Sequence, residues 1–185
     1  MQRELDNAPV AFLVAGAGAD QAEVSHSWQA VLARGGHPVL LSPSGGEVDL
    51  LRGPVRVGSM HIDVEVRDAD AADFAGLVVP DGDGIVEPGA QLAAAAFVRG
   101  FFAAGLPVAA IGAAQRILVA ADAARGRQLT SAPSLRAELA QAGAHWTNMR
   151  VVVCERGRSV LVTAQDPSDL PVFCQAFTRR FFGPA

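Results

Sequence analysis

The chain has 185 residues, half of them hydrophobic and under a fifth charged, with a formal net charge of −4. Such a balance buries one substantial core, which excludes a disordered chain, and the scattered arginines form no basic run of the kind a nucleic-acid surface needs. All basic residues are arginines and tyrosine is absent, which excludes a Walker phosphate loop, a lysine Schiff base and a tyrosine acid or base.

Residues 9–15 are a continuous apolar run, as expected for a strand covered on both faces, and the run is too short to span a membrane. Residues 20–34 have helical spacing, with Val24, Trp28, Val31 and Leu32 on one side and Gly35-Gly36 as the stop. Residues 37–41 predict a second strand and 43–46 a loop. Residues 55–66 alternate loosely and predict a short antiparallel excursion at a sheet edge. A buried strand over 74–79 ends at Pro80-Asp-Gly-Asp-Gly84, and an alanine-rich helix over 90–104 carries Phe97, Phe101 and Phe102. Residues 106–111 predict the central strand, followed by a sharp turn at Gly112-Ala-Ala114 and a helix. A turn and short strand (124–130), a helix (133–141) and two strands (149–154 and 159–163) joined by Glu155-Arg-Gly-Arg158 follow. Ser168 is placed to cap a last helix bearing Leu170, Phe173, Phe177 and Phe181. Strands alternating with helices predict one domain over 1–185, with a mostly parallel sheet between helical layers.

In such folds, the strand-to-helix turn at 112 is where a nucleophile is usually displayed. Gly112, Ala113 and Ala114 have no side chain that attacks, transfers a proton or binds metal. Cys154 and Cys174 belong to a late strand and the last helix, and two cysteines make no disulfide framework, which fits a cytoplasmic protein. Gly16-Ala-Gly18 begins a dinucleotide fingerprint, but Gln21 stands at the third glycine position and no acid ends the second strand, which favours a simple tight turn. His37, His61 and His145 lack metal-ligand spacing, so neither a metal nor a cofactor is expected. His26 is a partly exposed helix residue or a group facing a cleft. Asp20 and Glu23 either favour a helix N-terminus by their charge or overlook the turn at Gly112, and Asp81 and Asp83 occupy the same rim. If these carboxylates cluster, at least one has a raised pKa.

Several segments carry a resemblance that spans roughly residues 9–182. They are Leu77-Val-Val-Pro-Asp-Gly82, Val108-Ala-Ala-Ile-Gly112, Arg125-Gly-Arg-Gln-Leu-Thr130, Ala142-Gly-Ala-His-Trp146 and Leu161-Val-Thr-Ala-Gln-Asp-Pro-Ser-Asp-Leu-Pro-Val-Phe173. Together they resemble the PfpI superfamily, the group of PfpI-type intracellular proteases and the Parkinson-disease-associated protein deglycase. The resemblance implies a flavodoxin-like, three-layer α/β/α sandwich of the class I glutamine amidotransferase type. It also implies a cysteine and a histidine at 112 and 113, a Pro-Gly-Gly ending at 82, and a glutamate over the thiol, carried over to Asp20. Here those positions hold Gly112, Ala113, Asp81-Gly82 and Asp20, with Asn148 where an acidic residue often follows the tryptophan. A glycine relaxes the strained turn and predicts a void where the thiol would sit.

Three roles follow as expectations. The first is a family member without cysteine chemistry, cytoplasmic and homodimeric or a higher homo-oligomer, that keeps its pocket for a small molecule or partner protein, in stress response as the resemblance suggests. The second is a hydrolase, glyoxalase or deglycase-type enzyme using relocated Asp20, Glu23 or His26, with the Gly82 and Ala113 N–H groups as an oxyanion site. The third is an assembly role. The candidate ligand-binding residues are Asp20, Glu23, His26, Asp81, Gly82, Gly112 and Ala113; no nucleic-acid or membrane partner is expected.

Overall fold

A computed structural model describes residues 7–14, 18–82 and 88–184. Its first strand, β1 (Pro9–Leu13), shows why layers form. Ala11 and Leu13 enter one core cluster, Val10 and Phe12 another, and all four are fully buried. A strand apolar on both sides has to be covered on both. Helices α1 (Gln21–Leu32) and α5 (Leu170–Phe182) cover one face. Helices α2 (Pro88–Ala104), α3 (Arg116–Ala120) and α4 (Arg136–Gln141) cover the other. This is the expected α/β/α sandwich.

The main sheet adds β3 (His37–Ser42), β6 (Val64–Glu65), β7 (Gly76–Val79), β8 (Val108–Ile111), β11 (Val151–Cys154) and β12 (Leu161–Ala164). Its order is β11-β12-β8-β7-β1-β3-β6, and every pairing is parallel except β11 with β12. Ala11 is in register with Val39 on one side and Leu77 on the other. The chain thus leaves β1 toward β3 and later returns on the opposite side at β7. That reversal opens a crevice at the carboxyl ends of β1 and β7, where ligands bind in open α/β sheets.

Several expectations need correction. The antiparallel excursion begins before residue 55: β4 (Glu47–Arg52) pairs with β5 (Val55–His61), turning at Gly53 with φ +56°. A third strand, β2 (Gly18–Asp20), runs parallel to β4, so the hairpin belongs to its own three-stranded sheet, while Val64 and Glu65 rejoin the main one. Alternation alone failed to reveal β4 because its partner β2 lies on the far side of a helix in sequence. Likewise β9 (Gln128–Leu129) and β10 (His145–Trp146) form a small parallel pair that needs both segments present. Gly16, Asp83 and Gly84 lie outside the described residues. Ser168 does not cap the last helix: its N–H donates to the Asp166 carboxylate in the preceding 3₁₀ turn. Among the described residues, no helix is long and apolar enough to cross a membrane.

The α5 face is held by aromatic stacking. Phe177 is fully buried, with its ring centroid 5.2 Å from those of both Phe173 and Phe181. Phe177→Ala removes the middle ring and leaves a cavity in a close-packed layer. A loss of roughly 3–5 kcal/mol is expected, read from the denaturant midpoint at unchanged m-value.

Candidate functional site

The crevice is organised by Asp81, the second residue after β7. Its backbone bonds the start of α1, and its carboxylate bonds N–H groups that follow β7 and β8. Its N–H donates to Glu23 Oε2 at 2.6 Å, and its carbonyl accepts the Asp20 N–H at 2.8 Å. Its carboxylate accepts the Gly82 N–H on Oδ1 at 2.9 Å and the Ala113 N–H on Oδ2 at 2.8 Å.

These contacts alter a familiar local motif. Asp20 is the N-cap of α1, its Oδ1 accepting the N–H groups of Ala22 (2.9 Å) and Glu23 (3.0 Å). With Glu23 three residues on, the spacing is that of a capping box, in which the glutamate would reach back to the cap's own N–H. Here the Asp81 peptide stands between them: Glu23 accepts from Asp81, and Asp20 donates to Asp81. The helix terminus is thereby joined to the end of β7.

The elbow glycine explains where the carboxylate goes. Gly112 follows β8 with φ +67°, a conformation that side chains other than glycine's adopt at a cost. A Cβ built there would lie 2.5 Å from Asp81 Oδ2 and 3.1 Å from its Cγ. The expected void is therefore absent, because the Asp81 side chain fills it. Gly82 is just as confined, since a Cβ on it would strike the backbone oxygen of Gly18.

A cavity of about 130 Å³ opens beside this cluster, lined by Asp20, Glu23, Asp81 and Gly82 and by Leu51, Gly53 and Pro167. The last three come from the β4–β5 hairpin and the 3₁₀ turn before α5; Pro167 belongs to a family-like segment, but no local pattern placed any of the three beside this crevice. Glu23 is only 1% exposed. Burial pushes its carboxyl from 4.5 up to about 8; the Asp81 N–H opposes this, and the charges of Asp81, Asp20 and Asp166 add to it. At neutral pH Glu23 is thus protonated. The raised carboxyl expected among these residues is Glu23. Asp20, the position carried over from the family glutamate, instead spends its side chain on the helix cap, because it ends β2 immediately before α1.

The other candidates fall elsewhere. His26 is exposed and turns its Nδ1 to the Ala22 carbonyl of its own helix at 2.8 Å, so it does not line the cavity. Gly112 is buried beneath Asp81, and Ala113 contributes its N–H to the Asp81 carboxylate. The Gly82 and Ala113 N–H groups, the candidates for an oxyanion site, both donate to the chain's own Asp81 carboxylate. Cys154 is buried on β11 and Cys174 half-buried on α5, with burial raising the Cys174 thiol; neither lines the cavity. Among the described residues, no three His, Cys, Asp or Glu side chains are grouped to hold a metal.

A model of the DJ-1/PfpI family matches residues 8–180. Protein/nucleic acid deglycase 2 of Escherichia coli is 30% identical over 141 residues, covering 76% of this chain and 79% of that protein. General stress protein 18 of Bacillus subtilis is 30% identical over 123 residues, 66% of this chain and 70% of that one. Among solved structures, Drosophila melanogaster DJ-1beta superposes with a TM-score of 0.76 at 22% identity, covering 96% of this chain and 92% of that chain. A two-domain Anabaena variabilis protein with DJ-1/ThiJ/PfpI-like and ferritin-like domains gives 0.82 at 24% identity; the match covers 96% of this chain and 51% of that one.

The proton on Glu23 makes stability depend on pH. The folded state holds it up to about 8 and the unfolded chain only to 4.5. Its stabilising contribution is complete below the lower value and is lost as pH rises toward the upper one, by up to ~1.4 kcal/mol per pH unit. Glu23→Gln keeps an acceptor for the Asp81 N–H without a proton to lose. Denaturant unfolding across this window is expected to show a shallower decline with pH in the variant than in the wild type.

Proposed function

The chain belongs to the DJ-1/PfpI family, and from that premise we propose that it is a member without elbow thiol chemistry, whose crevice binds a small molecule. One observation carries this reading: the Asp81 carboxylate occupies the space a side chain at 112 would need and engages the N–H groups a reaction intermediate would use. The resemblance places a glycine at 81 and a cysteine at 112. This chain has a side chain at the first and none at the second, a reciprocal exchange of volume across the crevice. A pocket lined by Asp20, Glu23 and Asp81 favours ligands that donate hydrogen bonds. The relative named General stress protein 18 supports a stress-response role as part of this proposal.

A second reading, acid–base catalysis without a thiol, is favoured by the proton on Glu23 beside the Asp81 backbone. Relatives named deglycase fit an enzyme in this position. It ranks second because the N–H pair that would stabilise an oxyanion already serves Asp81.

The exchange dictates the test. Gly112→Cys alone puts a side chain into a positive-φ position and against Asp81 Oδ2, and is expected to lose about 1–3 kcal/mol of stability. The double variant Asp81→Gly/Gly112→Cys removes the collision and recovers part of that loss, measured as a coupling in a double-mutant cycle. On a glyoxalase, deglycase and peptidase panel, the wild type is expected to be inactive and only the double variant to gain thiol-reagent-sensitive turnover. Wild-type turnover that resists thiol reagents and disappears in Glu23→Gln would replace the first reading with the second.

A further inference from the structure

We propose that Asp81 is a built-in ligand: its carboxylate fills a backbone N–H cradle suited to a carboxylate or similar small oxyanion, and so bars anionic ligands from the crevice. The cradle has two arms from two strand ends. The Gly82 N–H follows β7 and the Ala113 N–H follows β8, and each meets a different oxygen of the same carboxylate, at 2.9 and 2.8 Å. Charge-assisted bonds of this kind are the arrangement by which proteins hold free carboxylates.

The backbone of the residue is held on both sides. Its N–H is held by Glu23 and its carbonyl by the Asp20 N–H. The absence of a side chain at Gly112 leaves the needed space, since a Cβ there would meet Oδ2 at 2.5 Å. An incoming anion would have to displace a carboxylate tethered at high effective concentration. It would also approach Asp20 and Asp81 with like charge. Neutral and cationic ligands meet neither obstacle. This selectivity deepens the binding role proposed above and rests on it for its use. The test below reads the cradle alone, so its outcome is independent of the activity panel.

Acetate is the Asp81 side chain as a free molecule, which makes chemical rescue the direct experiment. The thermal midpoint of purified Asp81→Gly is followed against sodium acetate, with sodium chloride at equal ionic strength and acetamide as the uncharged isostere. Amide resonances of Gly82 and Ala113 are followed in the same titration. The expected result is a saturable rise in the midpoint with acetate, larger than with chloride or acetamide, together with saturable shifts of both amides. The wild type is expected to show neither. If Asp81→Gly does not fold, Asp81→Ala is read by the same criteria. The proposal is overturned if wild-type amides at 82 and 113 respond to acetate as the variant's do. It is equally overturned if a folded variant responds no more to acetate than to chloride.

Discussion

The crevice depends on one carboxylate meeting two peptide N–H groups. Asp81 joins the ends of β7 and β8 through its side chain and the start of α1 through its backbone. Backbone donors at strand ends have no ladder partner and require one when covered. In this chain the partner is supplied from within, by the Asp81 side chain. Removing the Asp81 carboxylate would therefore free the Ala113 donor and open space beside Gly112 together.

Glu23 adds a second constraint, because it is buried against this same residue. A buried ionised carboxylate beside Asp81 and Asp20 would be costly, so the group keeps its proton instead. The site thus separates two acidic side chains by environment. Glu23, buried in the crevice wall, remains neutral and accepts the Asp81 N–H. The Asp81 carboxylate is directed at two peptide N–H donors. Proximity alone does not make such carboxylates an acid–base pair.

The sheet explains why these groups meet although they are far apart in sequence. Central β1, with β7 beside it and β8 next, brings the ends at 81 and 112 to one edge, and the Asp20 N–H at the end of β2 bonds the Asp81 carbonyl there. The continuous apolar run of β1 and the alternation of strands with helices were legible as a pattern, because two-sided burial leaves a direct mark on composition. The turn at Gly112 was also legible, since only glycine accepts its positive φ at little cost. The occupant of that turn was not. Asp81 was visible as a rim carboxylate, but nothing local told its side chain to lie over residue 112.

The same division separates Asp20 from Glu23 and His26 from the crevice. Asp20 and Glu23 are three residues apart, and a capping spacing fits both; only the arrival of the Asp81 peptide decided which carboxyl is buried and which caps the helix. His26 shares their helix, but its ring bonds a carbonyl of that helix. By itself the sequence determined the layered fold, the family motifs and the lack of a side chain at 112, because hydrophobic periodicity and the identity of residue 112 are properties of the chain read locally. The tertiary structure alone decided that the elbow is filled and by which carboxylate, because that depends on the meeting of three strand ends brought together by long-range pairing.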